Sequence, residues 1–187
     1  MRLETERLYL RPLTERDCTA EYLSWLLDPE VNRYLEVRHV AQTMDTLRDF
    51  VRTVNNRDNE HLFGIFNKTN HRHIGNIKVG PIGRYQSVAD VGLLIGARDC
   101  WGHGYATEAI LAASRHAFEN LGVHKLSAGM YAPNQSSFRT FLKAGYKQEG
   151  LRRRHYLLDG KHCDVIELGL IPADLQPPIQ ANLSKPS

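Results

Sequence analysis

The stretch that most constrains this 187-residue chain is an apolar run, Val91-Gly92-Leu93-Leu94-Ile95-Gly96, followed by Trp101-Gly102-His103-Gly104-Tyr105-Ala106-Thr107-Glu108-Ala109 and a helical pattern reaching Leu121. The order is strand, glycine-rich turn, helix start. Glycine lets the backbone turn tightly and approach a ligand closely. The first N–H groups of a helix lack intrahelical acceptors, and the positive end of the helix dipole lies among them. A phosphate or pyrophosphate satisfies both, so the stretch predicts an anion site.

Two known phosphate motifs do not fit. A P-loop needs Gly-Lys-Ser/Thr, which does not occur here. A dinucleotide fingerprint needs a third glycine, where this chain has Thr107, and an acidic residue about 20 residues on. Lys125 to Tyr131 holds no carboxylate.

Trp101 to Ala109, read W-G-x-G-Y-A-T-E-A, resembles the acetyl-CoA signature of the GNAT N-acetyltransferases. The similarity is greatest to the branch that includes the ribosomal-protein alanine acetyltransferases. The family core Arg/Gln-x-x-Gly-x-Gly/Ala falls on Trp101, Gly104 and Ala106, with Trp101 departing from the usual Arg or Gln. A second block, Asn134-Gln135-Ser136-Ser137 then Lys143-Ala144-Gly145-Tyr146, resembles the branch pattern Asn-x-x-Ser followed by Lys-x-Gly-Phe. The opening Glu4-Thr5-Glu6-Arg7-Leu8-Tyr9-Leu10-Arg11-Pro12 resembles the branch's first strand. The resemblance spans residues 2 to 171.

Length suits one domain, and the expected division is an acetyltransferase domain over 1–171 with a mobile tail over 172–187. No apolar run approaches the ~20 residues that span a bilayer, and Met1 to Glu6 lacks the apolar stretch of a signal peptide. Cys18, Cys100 and Cys163 form no disulfide framework. These features point to a cytoplasmic protein with reduced thiols. The net charge of +3 is mild and disfavours nucleic acid as a partner. The one basic run, Arg152-Arg153-Arg154-His155, reads as a solvated strand side or a contact to an acidic substrate.

Along the chain, Leu8 to Leu13 predicts a strand, and Thr14 the cap of a first helix with Leu23, Leu26 and Leu27 inside. Asp28-Pro29-Glu30 reads as a helix restart. Thr43 caps a helix carrying Met44, Leu47, Val51 and Val54. Leu62 to Phe66 and Ile74 to Val79 read as strands, and Val88 to Ile95 as a strand buried on both faces. The helix from Tyr105 carries Ala106, Ile110, Ala113, Ala117 and Leu121, with Gly122 behind it. A strand over Lys125 to Tyr131, a short helix over Asn134 to Ala144, and a hairpin turning at Asp159-Gly160 complete the pattern. Helices, meandering strands, then β-α-β suggest an α/β domain with a mixed sheet. The resemblance implies the GNAT fold: one domain, its central mixed sheet splayed near residues 94 and 127 and flanked by helices.

The resemblance also implies the chemistry. Acetyl-CoA is the co-substrate, with no metal. Its pantetheine arm pairs with Leu94, Ile95 and Gly96, and its pyrophosphate sits on Gly102, His103, Gly104, Tyr105, Ala106 and Thr107. The thioester lies beside Asn134. A neutral substrate amine attacks it directly, with an oxyanion donor near Ile95. The Tyr that the family at large uses as acid falls on Phe141, which has no proton to give; the branch uses the Ser of Asn-x-x-Ser, here Ser137. Capping by Ser136 or Ser137 is the competing explanation of that serine. Candidate bases are Glu36, His73, Asp90 and His103.

His71-x-His73 and His162-Cys163 lack zinc-site spacing. Cys100 beside the turn is either a thiol activated by a helix N-terminus or an inert one, and direct transfer favours the latter. The expected partner is a small-molecule, amino-sugar or protein N-terminal amine, with a homodimer open. Tyr34, Glu36, Arg38 and His39, with Arg152 to His155, mark the substrate side, and their basic members favour a phosphorylated or acidic acceptor. Asn76 to Ile82 resembles a subgroup associated with sugars or small molecules. Two other classes stay open: an acyl-CoA-binding regulator without catalysis, and an RNA- or ribosome-associated module.

Overall fold

The structure, a computed structural model, describes residues 1–175. Eight strands form one sheet in the order β1-β2-β3-β4-β5-β6-β8-β7. They are β1 (Leu3–Glu4), β2 (Leu8–Pro12), β3 (His61–Asn67), β4 (His73–Val79), β5 (Val88–Ile95), β6 (Lys125–Tyr131), β7 (Lys147–Leu158) and β8 (Lys161–Leu170). Four α-helices flank it: α1 (Ala20–Leu27), α2 (Met44–Asn55), α3 (Tyr105–Asn120) and α4 (Gln135–Lys143). Every neighbouring pair of strands is antiparallel except β5 and β6.

Adjacent strand residues point to opposite faces, and β3 shows what covers each. Leu62 lies under α2, whereas Phe63 meets the His116 ring of α3 edge-on at 5.7 Å. So α1 and α2 pack on one face, α3 on the other. α4 sits beside α3: Phe141 of α4 packs edge-on against Tyr146 at 4.9 Å, and the Tyr146 hydroxyl bonds Ser114 of α3. Leu8, Leu10, Ile65, Ile77 and Leu126 are fully buried between these layers.

Three expectations are corrected. Thr14 does not start α1. Its N–H and hydroxyl both donate to Asp17 Oδ2 (2.8 and 2.9 Å), which closes one 3-10 turn. Thr19 then caps α1, its hydroxyl accepting from the Tyr22 N–H. Pro29 restarts no helix: residues 28–35 form turns, held by Glu30 N–H to Asp28 and by Asn32 to the Leu26 carbonyl. β5 is not buried on both faces either. Asp90 and Gly92 are exposed while Ala89 and Val91 are buried, so one face of its first half lies open, and Leu93 to Ile95 are half-buried where the neighbouring strand leaves it. Parallel pairing of β5 with β6 covers only Val88–Lys125, Ala89–Leu126 and Asp90–Ser127. Beyond that rung the sheet splays.

Of the tail expected over 172–187, Pro172–Asp174 forms a 3-10 turn, Asp174 pairs with Lys147, and Leu175 packs on the core. The remainder lies outside the described residues. No helix among the described residues is long and apolar enough to cross a membrane.

Candidate active site

Because β5 and β6 run parallel, their carboxyl ends open on one side of the sheet. The turn after β5 leads into α3, and the turn after β6 leads into α4. Parallel sheets bind ligands in this kind of crevice, at the carboxyl ends of strands. The topology therefore brings residues 93–107 and 134–137, far apart in the chain, to the two lips of one splay.

On the β5 lip, alternate peptide groups face alternate neighbours. The Asp90 carbonyl accepts from Gly80, and the Gly96 N–H donates to Ile74 O at 3.0 Å, both toward β4. Leu93 and Ile95 therefore turn their peptide groups into the splay. The Ile95 carbonyl is reached by the Trp101 indole N–H at 2.8 Å, which ties the coming turn back to the strand. Gly96 instead lies beneath Trp25 of α1, where an added Cβ would fall 2.0 Å from the ring.

Gly102 and Gly104 take left-handed φ values of 77° and 81°. At Gly102 an added Cβ would meet no protein atom, so its absence is demanded by backbone conformation and by whatever lies outside. The main-chain N–H groups of Gly102, His103, Gly104, Tyr105, Ala106 and Thr107 have no acceptor among the described residues; the first helical bond runs from Glu108 N–H to Gly104 O. That set of donors is the anion cradle expected of a helix start.

Carboxylates beside the cradle would repel an anion, and each is matched by an arginine. Glu108, in the first turn of α3, accepts from the Thr5 hydroxyl (2.5 Å), the Arg7 N–H (2.7 Å) and the Arg7 Nε (2.8 Å). Burial pushes its carboxyl up, but these bonds and the Arg7 charge outweigh it and hold it below its ordinary value. Arg7 Nη1 also donates to His103 O at 2.9 Å and so grips the turn itself. Asp99 is paired with Arg72, which also binds Glu21 of α1. Sequence reading missed this scaffold; Thr5, Arg7 and Glu108 lay inside the quoted motifs, but nothing in their spacing says that they meet.

On the β6 lip, Asn134 caps α4: its Oδ1 accepts from the Ser137 N–H at 3.2 Å. The cap is therefore Asn134, and the half-buried Ser137 keeps its hydroxyl free of any hydrogen bond among the described residues. Phe141 is a buried core ring and not part of the lip.

The candidate bases scatter. His73 is enclosed by Tyr22, Trp25 and Phe66. Asp90 sits on the last shared rung, and His103 stacks on Tyr105 in the exposed turn. Glu36 alone of the four reaches a cavity of about 570 Å³ that opens beneath α1 and α2 and runs to Leu93 and Leu94. The Tyr131 hydroxyl donates to Glu36 Oε1 at 2.5 Å and accepts from Arg38 at 2.8 Å. Tyr34 and Tyr156 lie against Tyr131. Of the basic run, Arg152 pairs with Glu167, and the Arg154 N–H donates to Asp164. Burial pushes the Cys100 thiol up, and the Asp99 charge adds to it, so this cysteine is no activated thiolate. Among the described residues, no three His, Cys, Asp or Glu side chains converge as a metal site.

Residues 7–147 match the acetyltransferase (GNAT) domain model, well over half of the chain. The chain belongs to the GNAT acetyltransferase family. This GNAT N-acetyltransferase is 27% identical over 165 residues to the Bacillus subtilis N-acetyltransferase YoaA, covering 87% of this chain and 92% of that one. It is 25% identical over 193 residues to the ribosomal protein uS5-alanine N-acetyltransferase of Escherichia coli, covering 95% and 94%. Among solved structures, it is similar to Mycobacterium smegmatis RimJ in complex with CoA-disulfide (TM-score 0.81, 19% identity, 95% and 90% covered). Spermidine N-acetyltransferase of Vibrio cholerae in complex with CoA and spermine gives a TM-score of 0.80 at 19% identity, with 90% and 97% covered. The splayed mixed sheet is thus the GNAT fold, as the signature implied, and acetyl transfer to an amine is the general activity of the family.

Proposed function

We propose that this GNAT transferase moves an acetyl group from acetyl-CoA directly to a primary amine held in the splay between β5 and β6. The observation that carries this reading is the row of N–H groups from Gly102 to Thr107 without acceptors among the described residues, set at the carboxyl end of a strand whose outer edge is unpaired past Asp90. The donors suit a diphosphate, and the peptide group of Leu93 with the N–H of Ile95 suits an extended amide-bearing arm added as a strand, the Ile95 carbonyl being held by Trp101. Gly96 contributes by letting Trp25 pack close, since its own N–H is taken by Ile74.

When bound, acetyl-CoA supplies an activated thioester carbonyl. A backbone N–H near Ile95 serves as the donor that receives negative charge on that oxygen. Ser137, whose hydroxyl is not used for capping, donates the proton that the departing thiolate takes. Asn134 fixes the start of α4 and so the position of Ser137. Glu36, on the cavity wall, is the base that this geometry favours for an incoming ammonium.

Calorimetry with acetyl-CoA tests the reading. Wild type is expected to bind, and Gly104→Asp to lose about 100-fold or more in affinity, because it places a carboxylate and a Cβ in the cradle. Equal affinity of the two proteins would overturn it.

A further inference from the structure

Resting on that transfer reading, we infer that the cavity beneath α1 and α2 selects a small primary amine with an apolar body and one neutral hydrogen-bond acceptor. The basic residues noted in the sequence had favoured a phosphorylated or acidic acceptor, but Arg152 to His155 do not line this cavity. Its walls are Leu26, Leu35, Val37, Val40, Phe50 and Leu94. A wall of this kind desolvates its occupant, which costs a polyvalent ion far more than it costs a hydrocarbon.

The charged groups on the wall are few and largely matched. Lys78 turns its ammonium to Glu60 at 3.0 Å, and Glu60 is buried and also held by Arg57 at 2.7 Å. Lys78 therefore offers no free cation to a phosphate. Glu36 is the one other charged residue on the wall; its exposed carboxylate accepts from the Tyr131 hydroxyl through Oε1, with Arg38 Nη1 3.8 Å away, and keeps a second oxygen toward solvent. A single carboxylate matches one ammonium; a polyamine would bring further cations with no partner.

One polar atom points to the rest of the ligand. Asn76 is 5% exposed, lines the cavity and lies on the rung of Leu94. His73 Nε2 stands 2.9 Å from Gly75 O and 2.8 Å from Asn76 Oδ1. A nitrogen between two oxygens carries the proton, which fixes the Asn76 amide with its oxygen toward His73. Burial holds His73 below its ordinary pKa against the bonds to Asn76 and Gly75. Asn76 Nδ2 is then left buried without a partner among the described residues. A donor in that state is costly unless a ligand oxygen answers it. An amino-acid amide with an apolar side chain has all three features: one ammonium for Glu36, a hydrocarbon body for the wall, and a carbonyl for Asn76.

Steady-state transfer from acetyl-CoA, read as free thiol, tests this with leucinamide, isopentylamine, spermidine and glucosamine 6-phosphate. Leucinamide is expected to exceed spermidine and glucosamine 6-phosphate in kcat/KM by about tenfold or more. Asn76→Leu should cut kcat/KM for leucinamide but not for isopentylamine, which has no carbonyl. Val40 is 62% exposed, so Val40→Asp spares the core. It should lower kcat/KM for both apolar amines while leaving acetyl-CoA affinity unchanged. Turnover of spermidine or glucosamine 6-phosphate equal to or above that of leucinamide would overturn the inference. So would acetyl-CoA binding with no turnover of any of the four amines. Failure to bind acetyl-CoA at all removes the transfer reading itself, so the two failures are distinguishable.

Discussion

Asp17 shows how much one side chain settles. It accepts from both Arg11 guanidinium nitrogens (2.8 and 2.6 Å) and from the N–H and hydroxyl of Thr14. Burial alone would raise its pKa, but these bonds bring it from 3.8 down to about 2. A depressed acid contributes its stability above the unfolded pKa and loses it as pH falls through the folded one. Asp17→Asn is therefore expected to cost about 1–2 kcal/mol near neutral pH, after allowance for the partial exposure of Arg11. Urea titrations of both proteins should converge as pH drops from about 4 to about 2; a constant gap would refute the assignment. Ser137 makes the complementary case. Ser137→Ala should reduce kcat about tenfold or more, with KM for acetyl-CoA within about twofold, since Asn134 and not Ser137 caps α4. An unchanged kcat would remove this hydroxyl from the reaction.

At the level of elements, local chemistry was readable wherever it was self-contained. Thr43 caps α2 and accepts from the Thr46 N–H. Gly122 ends α3 with φ 66°, and Asp159-Gly160 turns the hairpin with φ 50° and 74°. It failed where a partner elsewhere decided. Thr14 looked like the cap of α1, but it caps only a 3-10 turn, because Asp17, already drawn in by Arg11 of β2, takes its N–H and hydroxyl. Pro29 looked like a helix start, but Asp28 accepts from the Glu30 N–H in a turn and is held by Arg98 from the segment after β5. Gly96 carries the same lesson into function. The motif reads it as a strand residue for the cofactor, whereas its distinctive feature is the Trp25 ring over its Cα. Gly96→Ala should push α1 off the sheet and lower stability by about 1–3 kcal/mol. Thermal melting of the free protein checks this, and an unchanged Tm would show that the ring yields easily.

For the molecule as a whole, two sub-sheets share three rungs, and Arg38 ties the α1–α2 connection to the second of these sub-sheets. Its guanidinium donates to Leu35 O at 2.9 Å on the α1–α2 connection, to the Tyr131 hydroxyl on β6, and to Leu157 O at 3.3 Å on β7. Arg38→Ala should speed amide hydrogen exchange over residues 28–43 about tenfold while leaving acetyl-CoA affinity within about twofold. Unchanged exchange would show that the connection is held elsewhere. The existence of the splay came through a motif resemblance; its position, just past Asp90 and Ser127, depends on three-dimensional pairing that no local pattern encodes. The gap also has a thermodynamic side. From Val91 onward the protein carries a raw strand border in the middle of its own sheet, and on the proposed reading the coenzyme arm is the missing ribbon that mends it. Any ligand that binds only the native state raises its melting point, so this protein should be at its most heat-labile and protease-prone when starved of coenzyme, and its cellular lifetime would then track the supply of the molecule it consumes.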